Sequence, residues 1–306
     1  MDSEQLTALA QTLKAELIET HISWLLLNDR FVYKIKKPLK FSFLDFSTFE
    51  KRKYYCEEEV RLNRRLSPEI YLGVVPVVEK DGEFAFEGVG RVIDHAVKMK
   101  RLPQERRMDI LLDQGEVTQE HVVRIAHTVA DFHQRIEVID DKRFGSWQIV
   151  KRQIDDLANH RDTIEEACGL GDVVDLIVER SDAFIEKNKE MFEERQKEGA
   201  IRDCQGDLHS ANIFIVDDKP IIFDCIEFNE DFRFIDVASE IAFMYMDLEA
   251  MQNDSRDRED SSRDLEAHGR EDLAKLFVEE YLNKTRKQSS TFISAIGPMC
   301  GQRSQQ

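Results

Sequence analysis

The stretch Asp203-Cys204-Gln205-Gly206-Asp207-Leu208-His209-Ser210-Ala211-Asn212-Ile213 carries the densest group of reactive side chains in the chain. An aspartate at 207 is followed five positions later by an asparagine at 212. The apolar run Ile213–Val216, the polar Asp217-Asp218-Lys219-Pro220 and a second apolar run at 221–223 then read as a short hairpin that ends in Asp224. Loop and hairpin together bring a carboxylate, an amide and a second carboxylate to one place. An Asp-x-x-x-x-Asn spacing alone carries almost no information; the hairpin, the second aspartate and the flanking apolar strands make the pattern informative.

Phosphoryl transfer needs this set of groups. A carboxylate stands beside the attacking hydroxyl, and oxygen ligands hold the magnesium that bridges the phosphates and offsets developing charge. Asp207 takes the part of the base, and Asn212 and Asp224 the parts of metal ligands. The protein-kinase pattern H-R-D-L-x-x-x-N fits from Asp207-Leu208 to Asn212.

Outward from this stretch, the chain changes character near Pro103. Before it, residues 1–20 show helical spacing, with Leu6, Leu9, Leu13 and Leu17 on one stripe. Trp24-Leu25-Leu26-Leu27 and Phe31-Val32-Tyr33-Lys34-Ile35-Lys36 read as strands, and a charged helix runs from Thr48 to Leu66. Strands at 71–79 and 84–87 flank Asp81-Gly82, and 92–102 makes a further strand. After Pro103 the periodicity is mostly helical: Thr118 caps a helix with Val122, Ile125, Ala126, Val129 and Phe132 on its inner face. Ile177, Phe184 and Met191 recur every seven residues on another. Strands first and helices after predict two lobes of different architecture. Residues 1–100 are the expected N-terminal lobe, 101–287 the C-terminal lobe and 288–306 a frayed tail. A low-complexity segment flanked by two Leu-Glu-Ala copies is expected as an inserted, exposed polar loop over 251–267.

Composition narrows the function classes. The 306 residues carry 43 basic and 61 acidic side chains, a net charge of −18. That acidity argues against sequence-independent nucleic-acid binding, which needs a basic face to displace counterions. No apolar run is long enough to span a bilayer, and the N-terminus lacks the positive and apolar regions of a signal peptide. Cys56, Cys168, Cys204, Cys225 and Cys300 are odd in number and form no Cys-x-x-Cys pair, so neither a disulfide framework nor a zinc site is expected. A reducing, cytoplasmic setting follows as the expectation.

The motifs Gly206-Asp207-Leu208-His209…Asn212, Phe223-Asp224 and Ile235-Asp236-Val237-Ala238 resemble those of the aminoglycoside phosphotransferase and choline-kinase-like enzymes. Tyr33-Lys34-Ile35-Lys36-Lys37-Pro38, Phe43-Leu44-Asp45-Phe46-Ser47-Thr48 and Leu62-Asn63-Arg64-Arg65-Leu66 look like an uncharacterised bacterial branch of that family. Its members are often fused to a P-loop ATPase-like domain. No Gly-x-x-x-x-Gly-Lys occurs here, so that domain is not expected. The resemblance covers about residues 15–287. It implies an α+β, two-lobed protein-kinase-like fold, with an antiparallel N-terminal sheet plus helix and a mostly helical C-terminal lobe. It also implies ATP and magnesium as cofactors and a small-molecule hydroxyl as phosphate acceptor, without nucleic acid or membrane as partner.

The resemblance further implies a strand lysine for the nucleotide phosphates and a helix glutamate to hold it. Lys34 is the choice over Lys36, which shares its strand face, and Glu59 is the choice with Glu58 in reserve. ATP is expected near the Met99-Lys100-Arg101 connection, with Leu27-Asn28-Asp29-Arg30 as the phosphate cover in place of a Gly-rich loop. Asp236 is expected to cap or anchor the following helix, and His209 and His133 to support structure. The family usually has His where this chain has Gln205, and its relatives continue beyond Arg286 into a further helix. These departures and the missing Gly-rich loop leave a nucleotide-binding pseudokinase, acting as an interaction or regulatory module, as the alternative.

Overall fold

The computed structural model describes residues 1–259 and 272–285. Six strands form one antiparallel sheet: β1 (Glu16–Glu19), β2 (Ser23–Leu27), β3 (Phe31–Lys36), β4 (Tyr71–Lys80), β5 (Glu83–Phe86) and β6 (Arg91–Lys100), in the order β1-β2-β3-β6-β4-β5. Asp81 and Gly82 both take positive φ, the conformation that a two-residue hairpin turn between β4 and β5 requires. Helix α1 (Ser3–Leu13), capped by Asp2, lies on one face of the sheet. Helix α2 (Phe49–Asn63), whose first turn is capped by the Thr48 hydroxyl, lies on the other.

Strand alternation sorts β3 between these helices. Tyr33 and Ile35 enter the core beneath α1 with Leu6, Leu9, Val75 and Val77. Val32 packs on the opposite side with Cys56, Val60, Tyr71, Val97 and Met99, and Lys34 and Lys36 share that side with α2. The sheet thus separates an apolar interior from a face that carries two lysines.

The C-terminal part is helical around short strands. Helices α3 (Met108–Asp113) and α4 (Gln119–Arg135) precede a layer made of α5 (Trp147–Asn159), α6 (Arg161–Cys168), α7 (Gly171–Lys187) and α8 (Lys189–Lys197). Strand β7 (Ile201–Asp203) leads into the 203–213 stretch, the hairpin is β8 (Ile213–Val216) and β9 (Lys219–Ile222), and β10 (Phe234–Asp236) returns to pair with β7. Helices α9 (Val237–Glu259) and α10 (Leu273–Thr285) close the core with Ile241, Met244, Leu248, Phe277 and Tyr281 against Ile125, Val129 and Phe132 of α4. Among the described residues, no helix is long and apolar enough to cross a membrane, and Cys56, Cys168, Cys204 and Cys225 are all free.

Several elements depart from the expected ones. The first helix stops at Leu13, where Lys14 turns to a left-handed φ of 50° and donates to the Ala10 and Gln11 carbonyls. Leu17 therefore lies on β1 and is exposed, not on the stripe of Leu6 and Leu9. The charged helix ends at Asn63, and residues 64–66 tighten into i→i+3 turns. Asn188 separates Met191 on α8 from Ile177 and Phe184 on α7, and Ile177 is exposed. The β8–β9 turn uses only Asp217 and Asp218, both at positive φ, so Pro220 belongs to a strand. Helix α9 runs through Glu259, so helix occupies the start of the segment expected as a 251–267 loop. The remainder of that segment and the 288–306 tail lie outside the described residues.

Phe277 is fully buried where α10 meets α4. Phe277→Ala is expected to destabilise the chain by about 3–5 kcal/mol, the usual cost of a buried aromatic truncation. A urea midpoint shift below a quarter of that size would show that α10 is not part of the cooperative core.

Candidate active site

The site begins with a charge problem on the lysine-bearing face. Lys36 and Glu59 have no exposed side-chain surface, and Lys34 is almost as enclosed. Lys34 Nζ lies 3.0 Å from Glu59 Oε1 and 2.6 Å from Asp224 Oδ1. Lys36 Nζ lies 2.6 Å from Glu59 Oε2, also binds Glu227, and sits 4.8 Å from the centre of the Phe46 ring. Burial pushes the Glu59 carboxyl up, but the two ammonium groups outweigh it and hold the pKa below the ordinary range. Glu227 goes the other way: burial and the neighbouring Glu59 charge outweigh Lys36 and raise it. Two cations thus face three carboxylates, and of these only Asp224 is substantially exposed, at 39%.

Asp224 is held in a costly conformation. Its φ is 60°, the left-handed region that aspartate tolerates better than most residues. The peptide groups around it are fastened: Asp224 N–H donates to the Tyr71 hydroxyl at 3.1 Å, and Cys225 N–H donates to Asn63 Oδ1 at 2.9 Å. Strain of this kind persists only where its surroundings over-determine it.

The loop at 205–212 is built as tightly. Gly206 has a φ of 87°, and a Cβ there would meet the Phe232 carbonyl at 2.8 Å, so only glycine fits. Gln205 is buried; its Oε1 accepts from Asp207 N–H at 2.5 Å and its Nε2 donates to the Phe223 carbonyl at 3.0 Å. One side chain therefore links the Asp207 loop to Phe223, the residue before Asp224. Asn212 Nδ2 donates to Asp207 O and Asp207 Oδ2, both at 3.0 Å, so its Oδ1 is the atom that could hold a metal. His209 Nε2 stands 3.6 Å from Asp207 Oδ2, and that contact raises the imidazole pKa above its ordinary value.

The Leu62-Asn63-Arg64-Arg65-Leu66 motif joins the two lobes at the end of α2. Asn63 holds Cys225, and Ser67 Oγ donates to the Ile222 carbonyl at 2.7 Å. Arg65 donates to the Asp203 and Cys204 carbonyls at 2.7 and 3.0 Å and lies over the Phe132 ring. Phe43 of the preceding motif reaches Phe228 and Phe232 across the same boundary.

Lys34, Glu59 and Asp224 therefore meet directly, Asp207 and Asn212 meet directly, and Gln205 ties one pair to the other. Glu58 is not the partner of Lys34; it binds Arg61 on the exposed side of α2. Met99 is buried beside Tyr71 and Val97, and Arg101 donates from its backbone to Arg30 O and from its guanidinium to Asn28 O. That last contact sets the Asn28-Asp29-Arg30 turn against Arg101. Phe31 pairs with Lys100, so the Asn28-Asp29-Arg30 turn belongs to the connection end of the sheet. The turn at the other end of β3 is Thr20-His21-Ile22, where the Ile22 carbonyl accepts from Lys37 N–H at 2.9 Å. Asp236 does anchor its helix, accepting from Ala238 N–H at 2.8 Å, and it also binds Arg195.

Sequence reasoning passed over Glu227, Glu240 and Asp247. Glu227 lies three residues beyond Asp224, a spacing that signals nothing by itself. Glu240 and Asp247 are unremarkable acids on an amphipathic helix. Only the loop they touch distinguishes them.

No family model matches the chain. It is 32% identical over 235 residues to an uncharacterized protein of Mycobacterium bovis and, equally, to uncharacterized proteins from two strains of Mycobacterium tuberculosis. Each match covers 76% of this chain but 45% of the relative, so the chain spans less than half the length of the curated proteins it matches. Among solved structures, a choline kinase from Cryptosporidium parvum Iowa II aligns with a TM-score of 0.50 and 12% identity, over 94% of this chain and 79% of that one. A glucosamine kinase aligns with a TM-score of 0.49 and 14% identity, over 94% and 69% respectively. The fold is protein-kinase-like, with a curled antiparallel N-terminal sheet and a helical C-terminal part.

Gln205→Ala strands the Asp207 amide and the Phe223 carbonyl and is expected to cost about 2–4 kcal/mol in urea unfolding. Histidine offers one ring acceptor and one ring donor, so Gln205→His is expected to cost less than half as much. Equal losses would show that packing, not hydrogen bonding, holds residue 205. The His209–Asp207 contact has a pH signature. Because the folded imidazole pKa is raised, its stabilisation is complete below the unfolded value of about 6.5 and disappears as pH rises through the folded value. The stability gap between wild type and His209→Gln should therefore be widest near about pH 5.5 and narrow with rising pH; a gap that widens instead would contradict the contact.

Proposed function

We propose that the chain is an ATP-dependent phosphotransferase that moves the γ-phosphate to a hydroxyl of a small molecule. The observation that carries this reading is the Lys34–Glu59–Asp224 contact, joined through Gln205 to Asp207 and Asn212. These are the groups that phosphoryl transfer demands, and four separate segments of chain supply them.

The donor set suits a hard divalent cation. The Asp224 carboxylate and the Asn212 amide oxygen are oxygen ligands, and the cluster's three carboxylates exceed its two ammonium groups by one negative charge. Bound there, magnesium would offset phosphate charge. Lys34, kept protonated by Asp224 and Glu59 against the cost of burial, is the cation for the nucleotide phosphates. Lys36, also kept protonated by its carboxylate partners, stays with Glu227 and Glu59 and braces the glutamate.

In this reading the base and the cofactor face of the adenine are set by different elements. The nucleotide lies in the cleft near the Met99–Arg101 connection, with its phosphates toward Lys34 and the Thr20-His21-Ile22 turn. Asp207, 40% exposed and oriented by Asn212, accepts the proton of the acceptor hydroxyl. The relatives' greater length and the low identity to the solved kinases leave the acceptor open. Residues 1–100 and 101–287 serve as nucleotide and catalytic lobes respectively.

Neutralising the two aspartates should separate their roles. Asp207→Asn is expected to retain magnesium-dependent ATP binding while losing about 10²–10⁴-fold in turnover. Asp224→Asn is expected to weaken magnesium-dependent ATP affinity as well as turnover. Calorimetry of ATP with and without magnesium, beside a phosphate-incorporation screen over hydroxylated metabolites, reads both. A wild-type chain that binds no ATP under either condition would overturn the proposal, and binding without transfer would favour a pseudokinase.

A further inference from the structure

Two carboxylates of α9 grip the loop that bears Asp207, one at each end. Glu240 Oε1 accepts from Gln205 N–H at 2.9 Å and from Gly206 N–H at 2.6 Å. Asp247 Oδ2 accepts from Ser210 N–H at 2.8 Å. Seven residues separate the acids, two helical turns, which places them on one face of α9 about 10 Å apart along the axis. Phe243, between them in sequence, meets the His209 ring edge-on at 6.0 Å. One helix face therefore supports the loop on both sides of its reactive aspartate.

The first of these acids is supported from behind. His133, at the end of α4, places Nε2 2.6 Å from Glu240 Oε2 and Nδ1 2.9 Å from the Tyr281 hydroxyl. One tautomer satisfies every atom: Tyr281 O–H donates to Nδ1, Nε2–H donates to the carboxylate, and the other carboxylate oxygen takes the two loop amides. His133, Glu240 and Tyr281 are all buried, so each unmade bond would carry a full desolvation cost. The neighbouring Cys204 makes this a three-residue cluster of metal-ligand types. Both nitrogens of His133 and both oxygens of Glu240 are already committed, however, and burial pushes the Cys204 thiol well above its ordinary pKa. The cluster is a hydrogen-bond relay.

We propose that Glu240 and Asp247 are positioning residues that fix the 205–210 loop for proton transfer at Asp207, with His133 and Tyr281 as the outer support of Glu240. The assignment rests on Asp207 as the catalytic base. Neither acid touches nucleotide or acceptor; they act by denying the loop backbone alternative conformations. A displacement of about 1 Å at a reacting group is enough to cost about 10²-fold in rate. Helices α4 and α10 thereby influence the site through side chains that never enter it.

The test uses the full chain and two readouts, one independent of activity. Amide hydrogen exchange should show Gln205, Gly206 and Ser210 protected in wild type. Asp247→Ala should speed exchange at Ser210 by at least about tenfold, with the α4 amides unchanged, and Asp247→Asn, which retains an acceptor oxygen, should restore protection. With magnesium ATP as donor and water as acceptor, Asp247→Ala should lower kcat about 10²-fold at unchanged ATP affinity, with recovery in Asp247→Asn. Glu240→Gln, which retains an oxygen for the two amides, should remain folded and lose less than Asp247→Ala. Tyr281→Phe should raise exchange at Gln205 and Gly206 but not at Ser210. Unaltered exchange in Asp247→Ala would overturn the clamp. Faster exchange with unchanged kcat would overturn its catalytic role. Predicted exchange in a wild-type chain that neither binds ATP nor turns it over would leave the clamp standing and remove the kinase reading instead.

Discussion

A carboxylate without exposed surface does not stay ionised unless cations reach it, and Glu59 is held so by two. Much of the molecule's arrangement follows from that requirement. Helix α2 has to lie on the Lys34–Lys36 face of the sheet, and β3 has to present both lysines to the same side. Lys34 then draws in Asp224, and Lys36 draws in Glu227, so the segment after β9 is bound to the N-terminal sheet at two points. A hydrophobic replacement of such a buried cluster often matches or exceeds its stability. Under the proposed function its presence prepares the site, since Lys34 Nζ and Asp224 Oδ1 already lie 2.6 Å apart.

The same logic governs the second half of the site, with backbone amides in place of ammonium groups. The 205–210 loop anchors Leu208 in the core, and Gly206 gives it a left-handed turn. Its order comes from polar groups that all find partners: Gln205 toward Phe223, Glu240 toward two amides, Asp247 toward a third. Buried polar networks specify one geometry when fully satisfied and fail as a unit when they are not. Gln205 shows what position 205 must supply to this loop. What the position demands is one acceptor for Asp207 N–H and one donor for the Phe223 carbonyl, and an amide supplies both.

Arg65, Asn63 and Ser67 extend the arrangement across the lobe boundary. They bind to backbone atoms at 203–204 and 222–225, so the end of α2 is tied to both segments.

The two-lobed division was legible in the chain because hydrophobic period changes from two to helical near Pro103, and period is a local property. Asp207, Asn212 and Asp224 were legible because loop and hairpin bring them together within eighteen residues of sequence. Lys34 against Lys36 was narrowed to a face by alternation alone; which lysine meets Asp224 depends on where the hairpin docks. Strand pairing, not sequence order, likewise decides which turn lies at which end of β3. Glu240, Asp247 and Tyr281 gave no local sign, and His133 only that of a structural histidine: their partners are 35, 37, 148 and 107 residues away, and only the packing of α9, α4 and α10 brings them to the loop. Local sequence determined which groups could do chemistry, because side-chain identity and short-range geometry are written along the chain. The tertiary structure alone decided which of them are buried, paired and aimed, because desolvation and contact depend on what the rest of the chain places around them.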